Sequence, residues 1–393
     1  MSDLATEILI LAGKVGRDHP TTAELLQVRP LKPFLQPDGS LDVRHLGDLD
    51  GECTRRELLA RFLILSAVLD QGPDIIGVRL LAKKVTDRLY EADIRFLHES
   101  ESFFENIATV LSIVDEANKE VSGERAEDWA ADNQSTPGKY NLFLDNSRQT
   151  LNYVVFRWGT PLSLPMLQRQ AAAEESYARE AFCRFLWSFT SAEEMSQEIK
   201  DHRRFGLGKC IGDKAAHLFA KWAVSTFAVL KKDDPAWGGL SYEIPLDSNV
   251  GRVLWRTGCL LEWADEEDYE KKTVIRPGQG KGGTDYIRAT QIRGMKATAS
   301  LPGEVKEAYV CACCEYLCCN KRPPQTIRTQ RLLNAYLLAY ARDASVASLD
   351  DGLIHIGTHY CWNHSEPACD SCPLRDVCRA AQGDARLIEH YRT

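Results

Sequence analysis

Four cysteines in the stretch CWNHSEPACDSCPLRDVC, residues 361–378, constrain this chain more than any other feature. Cys361, Cys369, Cys372 and Cys378 follow the spacing C-x7-C-x2-C-x5-C. The two-residue gap lets Cys369 and Cys372 reach one centre, and the flanking gaps close a compact loop around it. Such a set holds either tetrahedral zinc or an iron–sulfur cluster. The spacing alone leaves both open, because zinc sites usually show two short Cys pairs and this chain has one.

The rest of the sequence sets the context for those thiols. The first residues, MSDLATEILILAGKVG, contain Asp3 and Glu7 and no cleavage site, so they do not read as a signal peptide. No apolar run reaches the roughly 18–20 residues of a membrane span, and no membrane partner is expected. A reducing compartment is expected, and there thirteen cysteines argue for ligation and buried thiols rather than disulfides. The 393 residues allow two or three lobes around sizeable cores.

A net charge of −8 argues on its own against a nucleic-acid partner, but its distribution argues the other way. Residues 200–232 carry eight Lys/Arg against Asp201 and Asp213, and residues 271–300 carry seven against Asp285. Together these stretches hold +12, which leaves −20 for the remainder. That polarity fits either one basic face able to meet phosphates or two solvated charge runs.

Helical periodicity dominates. TRRELLARFLILSAVL (54–69) and SFFENIATVLSIVDEANKEV (102–121) are expected helices, and helix is expected again over 166–189. SAEE (191–194) is a capping-box signature that opens a further helix toward Arg204. The polar, turn-rich 122–141 reads as an exposed loop, and TLNYVVFRW (150–158) as the one strand-like run. GQGKGG (278–283) lacks the order of a phosphate-binding loop and reads as flexible. Cys311, Cys314 and Cys318 in CACCEYLCC share a helical face, which core packing explains better than ligation.

Four segments taken together resemble one family. LIHIGTHYCWNHSEPACDSCPLRDVC (353–378) resembles the cluster loop of the endonuclease III family of DNA glycosylases, whose preceding helix ends in a glycine, here Gly357. The first cysteine gap is one residue longer than is usual there. RRFGLGKCIGDKAAHLFAKWAV (203–224) resembles the family's helix–hairpin–helix, with IGDKAA in the place of VGxKTA. EIPLDSNVGRVLWRTG (243–258) resembles its VDTHVxRV segment, and LILSAVLDQG (63–72) its LLSAQxTD helix. The likeness covers parts of 56–120, then 192–262 and 326–380.

This resemblance implies an all-α, two-lobed helix–hairpin–helix glycosylase fold. Residues 1–55 would be an N-terminal helix and linker packing on the C-terminal lobe. Residues 56–245 would form a helical barrel with the hairpin at about 192–231, and 246–393 a lobe containing the cluster loop. Cys361, Cys369, Cys372 and Cys378 would hold a [4Fe–4S] cluster. Lys214 would be the nucleophile that forms a Schiff base, and Asp247 the carboxylate that steadies positive charge on the sugar. A second hairpin register, built on Gly206–Gly208, would put Cys210 in the nucleophile's place. Arg203, Arg204, Lys209, Ile211 and Gly212 would meet DNA through the hairpin. Asn249 and Arg252 would do so beside Asp247, and Gln71 would fill the gap left by a flipped base.

The implied activity is excision of a damaged or modified base from double-stranded DNA with strand nicking, by a monomer, in the bacterial cytoplasm or the nucleus. A monofunctional enzyme using an Asp-activated water and a non-catalytic DNA-binding protein are the alternatives. The 33 residues from Lys214 to Asp247 exceed the separation in compact members. Residues 122–165 and 264–300 have no counterpart in them.

Overall fold

A computed structural model describes residues 4–42, 46, 55–70, 74–98, 102, 105–132, 135–140, 181–201, 213–230, 234, 237, 242–259, 345–362 and 366–389. Its α-helices are α1 (Leu4–Asp18), α2 (Arg55–Leu69), α3 (Ile75–Glu91), α4 (Ile107–Asp132), α5 (Ala181–Trp187), α6 (Ala192–Asp201), α7 (Asp213–Ala220), α8 (Ser248–Arg256), α9 (Val346–His359) and α10 (Arg386–Glu389). Among the described residues the β contact is an isolated bridge between Leu35 and Leu41. This part of the chain is mostly helical, as expected. The strand-like run 150–158, the glycine-rich 278–283 and the cysteine-rich 311–319 lie outside the described residues.

Close packing divides the chain into two compact units: Met1–Thr21 with Gly239–Thr393, and Thr22–Gly238. The second is built on α2, which packs against α3, α5 and α7. Its sequence is apolar nearly all round, and Leu58 through Val68 are buried without a break, as expected of a core helix. Each such Leu, Ile or Phe contributes about 1.5–3 kcal/mol by leaving water. Two charged residues are buried with them. Arg61 Nε donates to Glu57 Oε1 at 2.9 Å, Arg61 Nη1 to the Leu97 carbonyl at 2.7 Å, and the Cys183 amide to Glu57 Oε2 at 2.8 Å. Burial of both charges is tolerable because the pair is hydrogen-bonded on all these sides.

The expected loop at 122–141 is corrected. Helix α4 runs on to Asp132, followed by a 3-10 turn at Pro137–Lys139. The polar residues there include good helix formers, and tertiary contacts anchor them. Arg125 pairs with Asp74 at 3.1 Å, Tyr140 donates its hydroxyl to the same carboxylate at 2.8 Å, and Trp129 meets the Tyr140 ring edge-on. At Ser191 the expected cap is present, with the Glu194 amide donating to Ser191 Oγ at 3.0 Å.

In the other unit α1 packs along α9 so closely that backbone meets backbone. A Cβ on Gly16 would lie 1.7 Å from the Ser348 carbonyl, and one on Gly352 1.8 Å from that of Ala12. Thr21 donates its amide and hydroxyl to the Asp351 carboxylate, at 3.1 and 2.6 Å. The rings of His19, His355 and His359 stack beside this crossing, 3.8 and 4.1 Å apart. Gly357 does not end its helix as expected: α9 continues to His359. The glycine serves instead a close approach to α8, since a Cβ there would stand 3.0 Å from that of Asn249.

Candidate active site and cysteine centre

Helix α8 begins at Asp247, whose backbone is extended. Its Oδ1 accepts from the amides of Asn249 at 2.8 Å and Val250 at 2.9 Å. Two otherwise orphaned helix donors are thereby satisfied, with a negative group at the positive end of the helix dipole. Both bonds fall on Oδ1, so the cap does not use Oδ2. The approach to this position is rigid, since Ile244 and Leu246 are fully buried.

One turn on, Arg252 differs from its expected role as a DNA contact. It is 4% exposed. Its Nη2 donates to Asn249 Oδ1 at 2.6 Å and to the Gly357 carbonyl at 2.8 Å, and its Nε donates to the Cys361 carbonyl. The guanidinium thus ties α8 to α9 and to the cysteine loop, and Asn249 holds it there through its side-chain oxygen. One further turn on, Arg256 donates to the Trp362 carbonyl at 2.7 Å and approaches Cys361 Sγ at 3.7 Å.

The four cysteines of the motif line one cavity with an empty volume of about 370 Å³. Val253, Ile356, Leu374 and Ile388 supply apolar walls, and Arg256 and Arg375 supply positive charge. A 3-10 turn at Cys369–Ser371 joins the close pair. Cys378 is fixed on α8: its thiol donates to the Arg256 carbonyl at 3.6 Å, and the next two amides pair with the carbonyls of Thr257 and Arg256. Burial pushes the Cys372 thiol up to about 12 and the Cys378 thiol up to about 11, and raises that of Cys369. Nearby thiolates add to each rise. Cys369, Cys372 and Cys378, which resist ionisation alone, would be ionised by a bound metal centre.

Among the described residues no group of three or more His, Cys, Asp or Glu is placed to hold a metal ion. A zinc site gathers its ligands round one point, whereas in a [4Fe–4S] cluster each thiolate takes its own iron. Four thiols lining one cavity are the donor set that either centre would need. Arg375 pairs with Asp370 at 3.5 Å, and Arg379 with Asp384 at 3.2 Å. The stem of Arg379 lies against Gly258, whose φ of +77° suits a residue without a Cβ.

Lys214 occupies the first turn of α7 and is no ordinary surface lysine, with only 16% of its side chain exposed. Its Nζ donates to the backbone carbonyl of Asp70, at the end of α2, and stands 3.7 Å from Asp70 Oδ1. Asp70 Oδ2 in turn faces Arg79 of α3 at 3.6 Å. Lys221, two turns beyond Lys214, is 1% exposed. At least these two charges of the basic stretch 200–232 point inward, which corrects the reading of that stretch as wholly a surface patch.

Asp70 is the residue that motif reading missed. Its signal was a local conflict: an aspartate at the negative end of an apolar helix opposes the dipole and calls for a compensating partner. Gln71, Arg203, Arg204, Lys209, Ile211 and Gly212 lie outside the described residues. Comparison with known proteins finds no protein family, no curated protein and no solved structure that matches this chain.

Proposed function

We propose that this chain is a DNA base-excision glycosylase of the endonuclease III type with AP-lyase activity. In this reading it acts on double-stranded DNA containing a damaged or modified base, and Cys361, Cys369, Cys372 and Cys378 hold a [4Fe–4S] cluster. The observation that carries it is the construction of α8, which presents the Asp247 carboxylate at its start and forms a wall of the four-cysteine cavity at its end. The cluster's contribution is structural, as a staple for the loop 361–378.

The chemistry belongs to the chain's own residues. The target nucleotide leaves the stack so that its sugar becomes accessible. The neutral Lys214 amine attacks C1′ and the base departs with the bonding electrons; the C1′–O4′ bond then opens, O4′ takes a proton from the nitrogen, and the resulting Schiff base permits β-elimination of the strand. Asp247 stabilises the positive charge that grows on the sugar as the base leaves.

Borohydride trapping on duplex DNA with an abasic site tests this directly, because that substrate does not depend on the identity of the base. A covalent adduct is expected, and Lys214→Ala is expected to abolish it. An adduct that survives this change moves the role to another amine. Absence of an adduct from a protein that still binds the duplex favours a water-using glycosylase or a non-cutting binder. For the cysteine centre, the purified protein is expected to be brown with about four iron and four labile sulfide per chain. A colourless zinc protein would refute the cluster.

A further inference from the structure

We propose that Asp70 is the proton acceptor that frees the Lys214 amine, an inference that rests on Lys214 being the nucleophile. A lysine is mostly protonated at neutral pH, since its ordinary value is near 10.4, and an ammonium has no lone pair with which to attack. A base must therefore stand within reach of Nζ. Lys214 Nζ lies 3.7 Å from Asp70 Oδ1, and Asp70 is its ion-pair partner among the described residues.

The state of that oxygen is informative. Asp70 is 4% exposed, and its Oδ1 is buried without a hydrogen bond. Buried carboxylate oxygens are normally hydrogen-bonded, so one that lacks a bond and faces an amine is a ready proton acceptor. Its partner oxygen faces Arg79 at 3.6 Å. The backbone carbonyl of the same residue accepts an N–H from Nζ. That bond persists whether the amine is charged or neutral, so it holds the nitrogen in place through the transfer. Arg79 of α3 faces the pair at Asp70 Oδ2, and the buried His217 and Lys221 lie further along the lysine's own helix and its π-helical continuation.

On an abasic site the step balances as follows. A proton passes from Nζ to Oδ1, leaving a neutral amine and a carboxylic acid. Nitrogen bonds to C1′ of the ring-opened aldehyde, and the remaining amine proton exchange gives a carbinolamine. Its hydroxyl leaves as water with the proton that Asp70 held. Ammonium and aldehyde have then become iminium and water, and Asp70 is again ionised.

The test is the pH profile of single-turnover borohydride trapping for the parent, Asp70→Asn and Asp70→Glu, each first matched to the parent in helical circular dichroism. If Asp70→Asn does not fold, Asp70→Ser replaces it as the variant without a carboxylate. The neutral variant is expected to trap on the order of 10²-fold more slowly near neutral pH and to recover as pH rises toward the lysine value of about 10.4. Asp70→Glu is expected to restore most of the neutral-pH rate. A simple counter-ion would do the reverse, because its removal favours the neutral amine and shifts the rising limb to lower pH. Either that shift or an unchanged profile overturns the proposal. Failure of the parent to trap at all would instead overturn the glycosylase-lyase reading.

Discussion

Asp247 and Lys214 are the two groups assigned to the chemistry, and they are positioned by opposite means. Asp247 is held by its own neighbours: Asn249 and Val250 donate amides from the helix it opens. Lys214 is held by Asp70, 144 positions earlier in the chain. The first arrangement forms whenever α8 forms. The second exists only when α2 and α7 are both in place, so Lys214 depends on the integrity of a whole unit.

That contrast can be broken from the long-range side with the largest expected effect. Glu57→Ala leaves Arg61 buried without its carboxylate and the Cys183 amide without its acceptor. A loss of about 3–5 kcal/mol is expected in urea unfolding, with the Lys214–Asp70 pairing lost alongside. A loss under 1 kcal/mol, or unfolding that spares Schiff-base trapping, would break the claimed dependence.

From the local side, Asp247→Asn and Asp247→Ala sharpen the comparison by separating cap from charge. Asparagine caps a helix about as well as aspartate, so the first variant should keep its stability while base release slows on the order of 10²-fold. The second should show the same kinetic loss and a further fall of about 1 kcal/mol in stability. Equal activity of parent and Asp247→Asn would reduce Asp247 to a cap.

The smallest effect concerns the histidine stack in the unit that contains Asp247. Burial, with His359 and His19 nearby, lowers His355 from 6.5 to about 4. The unfolded chain therefore takes up this proton more readily than the folded one. The stabilising contribution is complete above the unfolded value and is lost as pH falls from 6.5 toward about 4. His355→Gln should flatten the slope of melting temperature against pH in that window. A slope unchanged by the substitution would assign it to other groups.

The sequence made local order legible and tertiary order only partly so. The helix at Arg55–Leu69 and the Ser191 cap follow from neighbours a few positions apart, and both are present. The loop expected at 122–141 failed because Asp74 and Tyr140 stabilise a polar extension of α4, past the apolar stripe that ends near Val121. Gly357 was expected to end its helix because the resembled family has a glycine at the end of the helix before its cluster loop. Its contact with Asn249 is made by a helix 105 or more positions away, as the Arg252–Gly357 bond is. Arg252 illustrates the same limit: as a letter it is an exposed cation, and only the fold surrounds it with carbonyls. Asp70 became a partner of Lys214 for the same reason.

The contact between α1 and α9 has a consequence for synthesis on the ribosome. Thr21 and Asp351 are 330 positions apart. At about 5–20 residues per second, the earlier helix emerges roughly 17–66 s before its partner. Throughout that interval Ile8, Leu9 and Ala12, all buried in the finished protein, have no α9 to cover them. A nascent chain stalled before α9 would keep this apolar stripe uncovered until the helix is made.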